Sequence, residues 1–551
     1  MKFLILFLIV LFSFGCKKTQ EITPVIPENF SFVQIKINNS IANGNATNVS
    51  FLPVIKLTFS DKINHGSTEA NFAIKSGSGV SVTYTVAYEN DDSTVFVKPS
   101  QSLQPLSRYL LTVSAALSSQ KGGKLTSPVS FGFLTSIDSS DKFPTISDNA
   151  LLDKVQQQTF KYFWEFGHPV SGLARERNTS GDLVTTGGSG FGIMAIVTAI
   201  SRNFITRADG LARMQTIVSF LKNNAQKFHG AFPHWLNGST GAIIPFSQND
   251  NGADIVETSY LMEGLLTARQ YFNNASAAET TLRADINTLW NGVEWDWFRK
   301  SNENVLYWHW SPDKNWIMNV QLKGWNEALI TYVMAAASTT HTIPKIVYDN
   351  GWASNGGFAN GNVYYGKPLP LGPALGGSLF FAHYSFLGIN PNGLSDAYAN
   401  YQTQNTNHTL INYSYCVANP KGFYGYSSNC WGLTASDDNQ VGYLAHEPNN
   451  DDGVISPTAA LSSFPYTPVE SMNALHFFYY KLGDKLWGGY GFADAFSLND
   501  PWFADSYLAI DQGPIIVMIE NYRSGLLWNL FTSCTEVKAG MIKLGFSAPY
   551  L

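Results

Sequence analysis

The segment from Gln248 to Tyr260, Gln-Asn-Asp-Asn-Gly-Ala-Asp-Ile-Val-Glu-Thr-Ser-Tyr, places three carboxylates where a loop gives way to a helical apolar pattern. Asp254 and Glu257 stand three positions apart. On a helix that spacing sets them on one face, with Cβ atoms about 5–6 Å apart. Asp250 lies one turn earlier, at or before the helix N-terminus. Like charges held this close push one pKa up, so that a protonated acid sits beside an ionised base. The same residues would also cap the helix and complement its dipole, and the segment alone leaves both readings open.

A second arrangement of this kind follows. Tyr307, Trp308, His309 and Trp310 are consecutive, and the chain then enters Lys323-Gly-Trp325-Asn326-Glu327-Ala328, the expected start of another apolar helix. Glu327 is thereby expected in the first turn of a helix behind an aromatic loop, as Glu257 is. Two such helix ends at one mouth would bring carboxyl groups to opposite faces of a bound sugar. Glycoside hydrolysis needs that pair, one acid to protonate the leaving oxygen and one carboxylate to activate water or attack. A third region runs from Trp487-Gly-Gly-Tyr-Gly-Phe492-Ala-Asp494-Ala-Phe496 through Trp502 and Ile510-Asp511-Gln512-Gly513-Pro514 to Glu520-Asn521-Tyr522-Arg523, with Asp511 ahead of a Gly-Pro helix start. The apolar surroundings of Glu520 and Arg523 predict a buried hydrogen-bonded network there rather than a surface ion pair.

Other chemistries find no support. The run Gly187-Gly-Ser-Gly-Phe-Gly192 follows no strand of a βαβ unit, and no Lys-Ser/Thr comes after it, so it is not a phosphate loop. Single Ser and His residues lack partners at a recognisable spacing for a Ser-His-Asp hydrolase. Beyond Cys16 there are only Cys416, Cys430 and Cys534. Cys416 and Cys430 would close a short loop if oxidised. No Cys/His cluster has metal-ligand spacing, so neither a metal nor a cofactor is expected. A net charge of −6 with 14% charged residues excludes a nucleic-acid binder, which shows a clustered basic face. The 14 Trp, 26 Tyr and 37 Phe supply more rings than a core needs and provide stacking platforms for sugars.

The elements that must position these groups fall into two patterns. At the N-terminus, Lys2 precedes an apolar run from Phe3 to Phe14 and then Gly15-Cys16-Lys17-Lys18. That run is too short to span a bilayer and is a signal-peptide core. The small residue before Cys16 resembles a bacterial lipoprotein processing site, with Ser13 where Leu is usual. Residues 1–15 are thus expected as a signal peptide and 16–28, with Pro24 and Pro27, as a tether. The protein is expected to be exported and anchored through lipidated Cys16 to the bacterial outer membrane, on its periplasmic or cell-surface face.

From 29 to 136, short period-two runs (Phe32–Ile37, Val54–Phe59, Val80–Val86, Val95–Val97, Tyr109–Val113, Val129–Leu134) predict about seven strands in a sandwich. They resemble bacterial Ig-like modules. Ser136–Ser147 reads as a linker. Beyond it, apolar stripes at helical spacing recur, from Leu151–Phe166 to Ile515–Phe531, joined by long Gly- and aromatic-rich loops. Helices of that length with such loops suit a toroid of inner and outer helix pairs, and no repeat of fixed period supports an open solenoid. The fold class is mainly α, preceded by a small all-β domain.

Several long motifs carry a family resemblance: Glu294-Trp-Asp-Trp-Phe298, Trp308-His-Trp-Ser-Pro312, Gly324-Trp-Asn-Glu-Ala328, Phe380-Phe-Ala-His-Tyr-Ser385, Trp431-Gly-Leu-Thr-Ala-Ser436, Ile455-Ser-Pro-Thr-Ala-Ala460 and Ile510-Asp-Gln-Gly-Pro514 with Glu520-Asn-Tyr-Arg523. They resemble the glycoamylase-like domain of glycoside hydrolase family 144, over about residues 148–551. The resemblance implies an (α/α)6 toroid and inverting cleavage of β-1,2-glucan, by endo action or by exo action releasing sophorose. It places the family's acidic cluster on Asp250, Asp254 and Glu257 and its essential glutamate, the proposed general acid, on Glu327. Asp511 is a match for a second acid, and which carboxylate is the base stays open. Trp308, His309, Trp310, Trp325, Asn326, Tyr522 and Arg523 are expected to bind the glucan. The expected protein is a monomer whose partners are a β-linked glucan and, through its lipid, a membrane. The alternative is a non-catalytic glycan-binding lipoprotein on the same fold. A polysaccharide lyase is a further rival.

Overall fold

The computed structural model describes Gly15 and residues 29–551, so the expected signal peptide, Cys16 and the tether lie outside the described residues. The chain divides into two compact units, one ending at Ile137 and the other running Asp138–Leu551.

In the first unit the longer strands are β1 (Phe32–Ile37), β2 (Ala46–Val49), β3 (Ile55–Phe59), β4 (Phe72–Ser76), β5 (Tyr84–Glu89), β6 (Thr94–Pro99), β7 (Arg108–Val113) and β8 (Val129–Thr135). One sheet runs β1-β3-β6-β5 and the other β2-β8-β7-β4, each with a two-residue strand added at one edge. Alternation decides which side chains meet. Ile55 pairs with Val97 and Leu57 with Val95 in one sheet, and Ile74 pairs with Leu111 in the other. All six are buried in one core. The run expected as a single strand, Val80–Val86, breaks at Thr83. Ser81–Val82 extends one sheet while β5 joins the other. β2 and β4 escape sequence reading: β2 is short and buries only Val49, and in β4, as long as β3, the alternation stops at Ile74.

The second unit is helical: α1 (Asp148–Trp164), α2 (Thr186–Ser201), α3 (Arg207–Asn223), α4 (Ile255–Tyr271), α5 (Ala277–Asn291), α6 (Leu329–Ala337), α7 (Tyr401–Ala418), α8 (Pro457–Leu461), α9 (Pro468–His476), α10 (Ala509–Ser524), α11 (Leu526–Thr532) and α12 (Thr535–Leu544). Two kinds alternate. α1, α3 and α5 bury one stripe, in α5 Leu282, Ile286, Leu289 and Trp290, and are capped by the hydroxyls of Ser147, Thr206 and Ser276. α2, α4, α6 and α8 are buried nearly all round, as is α10 up to Asn521. The buried helices pack in a series, α6 on α4, α4 on α2, α2 on α10 and α10 on α8.

The glycines of α2 make its closest contact. A Cβ on Gly190 would lie 2.1 Å from the Tyr260 carbonyl oxygen, and one on Gly264 would lie 2.2 Å from that of Gly190. The backbones of α2 and α4 therefore touch, and the Gly-rich run serves helix packing.

The segment expected as a linker is ordered against this unit over much of its length. Lys142 N–H donates to the Tyr480 carbonyl (2.7 Å), Phe143 stacks on Tyr479 at 4.6 Å, and Lys481 pairs with Asp141 at 2.7 Å. Cys416, Cys430 and Cys534 are buried free thiols. Among the described residues no helix is long and apolar enough to cross a membrane.

Candidate active site

Asp254 ends a two-residue strand, β9 (Ala253–Asp254), that pairs antiparallel with β10 (His309–Trp310), and it is also the N-cap of α4. Both sequence readings of this residue meet here. Its extended backbone takes it off the helical face, and its Oδ1 accepts from the N–H groups of Val256 (3.0 Å) and Glu257 (2.9 Å). The β9–β10 pairing delivers the aromatic loop to the same atoms: Trp308 Nε1 donates to Oδ1 at 2.9 Å. Oδ2 faces His234 Nδ1 at 3.2 Å and His309 Nε2 at 3.8 Å. Asp254 is fully buried. Burial opposes its charge, but the His234 bond, the neighbouring histidines and the Glu257 N–H hold its pKa below the usual value.

Its neighbours shift the other way. Burial, then the Asp254 charge, pushes Asp250 up to about 7. Burial together with the Asp254 and Asp250 charges, partly offset by His234, takes Glu257 up to about 7. Glu257 Oε2 accepts from the Gly187 N–H (2.7 Å) in the first turn of α2. Burial works against a charged His234, yet Glu257, Asp254 and Asp250 outweigh it and raise its pKa to about 9. An ionised carboxylate and an imidazolium thus stand among carboxyls that titrate near neutrality.

Glu327 joins this group from the turn ahead of α6, outside the helix where it was expected. Its own carbonyl fixes it, accepting from Ser385 Oγ and from Tyr260 OH (3.4 Å). Burial, with the Glu257 and Asp254 charges, lifts its carboxyl to about 7. That is the pKa of an acid ready to donate near neutral pH.

A second group of acids surrounds Asp511. α10 begins earlier than the Gly-Pro signal predicts, so Asp511 is its third residue and not its cap. No hydrogen-bond donor reaches either Asp511 oxygen. Burial and the charge of Asp494 push Asp511 well above the usual carboxylate range, and burial and Asp437 raise Asp494 to about 7. Asp494 accepts from the Asp437 N–H (2.7 Å), and Asp437 in turn pairs with Arg177 (3.3 Å) and accepts from Ser506 Oγ. Tyr384 stands between the two groups. Its ring lies 5.8 Å from that of Tyr260, and after burial the charge of Asp511, then that of Glu327, raises its pKa.

Trp308, His309 and Trp310 are half-buried beside the first acid group, as expected. The other expected glucan contacts lie elsewhere. Trp325 is 4% exposed and packs among Trp352, Phe386 and Tyr401, so it is a core residue. Asn326 caps its own turn, accepting from Ala328 N–H (2.9 Å) and Trp352 Nε1 (3.2 Å). Tyr522 and Arg523 end α10, roughly 16–18 Å along the axis from Asp511. There Arg523 donates to Asp153 (2.6 Å) and Gln156 (2.8 Å), while Glu520 pairs with Arg202 (2.7 Å). The buried network exists: Arg202 pairs directly with Glu520, and Gln156, which donates to Glu520 (3.2 Å), links it to Arg523. Sequence reading left out His234, Tyr384 and Asp437, of which only Tyr384 carried a signal, inside the Phe380–Ser385 motif; Asp494 fell in the third region without a role assigned to it.

Among the described residues, two sets of side chains bring metal-ligand atoms within 4.8 Å of one another: His234, Asp250 and Asp254, and Asp438, His446 and Asp452. In the first, His234 Nδ1 is already bonded to Asp254, which makes it part of the proton network.

Acids in or beside the first turns of neighbouring buried helices, some ionised and some protonated, next to an aromatic wall, form the kind of site that cleaves glycosidic bonds. The comparisons carry this to a family. The Glycoamylase family model matches residues 319–535, and the bacterial Ig-like domain model Big_5 matches residues 33–135. An endo-β-1,2-glucanase structure from Chitinophaga pinensis, solved with sophorotriose and glucose, is 52% identical with a TM-score of 0.72, covering 74% of this chain and 100% of that one. A β-1,2-glucanase structure from Parabacteroides distasonis is 38% identical with a TM-score of 0.71, covering 94% of this chain and 72% of that one. A curated exo-β-1,2-glucooligosaccharide sophorohydrolase of that organism is 47% identical over 422 residues, 72% of this chain. The chain spans 58% of that relative's length. The chain belongs to glycoside hydrolase family 144, the glycoamylase-like family, with a bacterial Ig-like domain ahead of the hydrolase domain.

Proposed function

We propose that this protein hydrolyses β-1,2-linked glucan with inversion, using Glu327 as general acid. The observation that carries the reading is the contrast between Glu327, poised at about 7, and Asp254, held ionised beside it. The first supplies a proton to a leaving oxygen. The second fixes the electrostatics and the position of the Trp308 wall. The water-activating carboxylate comes from the Asp511–Asp494 pair or from the Asp250 cluster, and Tyr384 feels the charges of both Asp511 and Glu327. The alternation of buried and half-exposed helices supports an (α/α)6 toroid over residues 148–551. The relatives supply the linkage, and they divide between endo-acting and sophorose-releasing enzymes.

The same reading makes residues 29–136 an Ig-like spacer and Cys16 the lipidated residue of an exported, outer-membrane-anchored monomer. Incubation with long-chain β-1,2-glucan, starch and laminarin tests the proposal. Reducing ends released from β-1,2-glucan alone support it. A series of mixed lengths identifies endo action, and sophorose alone identifies exo action. Binding of the glucan with no cleavage would make the protein a glycan-binding lipoprotein instead, and products absorbing in the near ultraviolet would make it a lyase.

A further inference from the structure

A hairpin next to the Asp511 group carries a set of side chains that the hydrolytic reading does not use. β11 (Ala435–Asp438) and β12 (Gly442–Ala445) pair antiparallel, and the chain then makes a turn in which Asn450 N–H donates to the Glu447 carbonyl at 2.9 Å. Asp438 ends β11, His446 follows β12 and Asp452 lies just past the turn. Asp438 Oδ1 is taken by the N–H groups of Gln440 (2.6 Å) and Val441 (2.7 Å). Its Oδ2 points the other way, 3.9 Å from His446 Nε2, while His446 Nδ1 lies 3.2 Å from Asp452 Oδ1. The side chains of His446 and Asp438 are completely shielded and that of Asp452 is 26% exposed.

None of the facing atoms is satisfied. Asp438 Oδ2, Asp452 Oδ1 and both ring nitrogens of His446 have no hydrogen-bond partner. A buried polar atom left in that state destabilises the fold, more so when it is charged. An imidazolium bridging the carboxylates would relieve them only through aligned N–H bonds, and 3.9 Å is too long for one. One cation would relieve both carboxylate oxygens and whichever ring nitrogen of His446 faces it, since each residue supplies a single ligand atom. One ligand atom from each of the three side chains lies within 4.8 Å of the others, a spread that a small inward shift closes to the roughly 3.4 Å between ligand atoms each about 2.1 Å from a tetrahedral ion.

We propose that Asp438, His446 and Asp452 bind a divalent cation. Imidazole with two carboxylates suits Zn²⁺ or Mn²⁺, whereas Ca²⁺ takes 6–8 oxygen ligands. The ion ties the far end of the hairpin to the base of the following loop. Asp437, one residue from the site, gives its N–H to Asp494 and accepts from Ser506. The ion therefore holds the strand that supports the second acid group.

The test uses the full chain, stripped with chelator and dialysed, then titrated with Mn²⁺ by electron paramagnetic resonance and with Zn²⁺ by calorimetry. One ion per chain is expected, with Tm rising on loading. Asp438→Asn and Asp452→Asn should each weaken binding by at least about tenfold, and Asp250→Asn should leave it unchanged. Absence of saturable binding of either ion to the wild-type chain overturns the proposal, whatever the variants do. So does binding that survives both Asn substitutions, or binding lost in Asp250→Asn, which would place the ion at the His234 cluster.

Discussion

Asp254 and Asp511 are the same residue type at the start of two buried helices that both pack on α2, and their surroundings treat them oppositely. Asp254 has two backbone N–H groups, an indole N–H and an imidazole around it and stays ionised. Asp511 has no donor and faces Asp494, so it keeps its proton. Both helix dipoles favour a negative charge. The dipole is common to the two and cannot explain the difference; the donor count does. A carboxylate in a helix first turn is therefore not an assigned base until its donors are known.

Breaking the first group should have the largest effect. Glu327→Gln keeps the volume and removes the proton, and kcat should fall by about 10²–10⁴ with KM little changed. A variant that keeps more than about a tenth of kcat would transfer the acid role to Asp250 or Glu257.

The comparison itself is tested by paired substitutions. Asp254→Asn removes a charge that three hydrogen bonds and His234 require, so both kcat and Tm should drop. Asp511→Asn resembles the protonated acid already present, so Tm should hold or rise even where kcat falls. Equal losses of Tm in the two variants would refute the proposed difference in protonation.

The pH dependence follows from the raised groups. Glu327 and Glu257 move from 4.5, and Asp250 from 3.8, to about 7. The folded state then binds more protons than the unfolded one between those values, and stability falls as pH rises through that window. His234, raised from 6.5 to about 9, stabilises fully below 6.5 and loses that contribution as pH rises through 9. Thermal melts from pH 5 to 9 should show Tm declining, with a shallower slope below 7 in Glu327→Gln. The kcat profile should fall above about 7 as Glu327 deprotonates.

The smallest effect concerns the boundary between units. A chain starting at Asp138 should keep the wild-type kcat. One starting at Asp148 loses the contacts of Lys142 and Phe143 with Tyr480 and Tyr479 and should melt at a lower temperature with the same kcat. Identical melting of the two would show that these contacts contribute nothing.

The Asp250–Glu257 group was legible because it is local: one cap and one helical turn bring it together. The Trp308–Trp310 loop was legible as an aromatic wall, although its pairing with Ala253–Asp254 was not, since a two-residue ladder leaves no periodic trace. Asp494 was legible as part of the third acidic and aromatic stretch, but its bond to Asp437 was not, because only the tertiary fold joins their loops. The inward setting of Trp325 was hidden for a related reason. Residue type says that a ring is present, while the packing of Trp352 and Tyr401 decides that Trp325 faces inward. In the first unit, strands with a clear alternation were found, and β2 and β4 were not.

The contact between Gly190 and Gly264 bears on how the site moves. With their backbones touching, α2 and α4 have no side-chain layer in which to slide. The N–H of Gly187 and the carboxyl of Glu257 belong to these two helices. An amide in the first turn of a helix ordinarily exchanges its hydrogen early, because helix ends fray. The Gly187 amide should instead exchange only when the whole helical unit opens, so its deuterium uptake would report the global stability of the unit from within the active site.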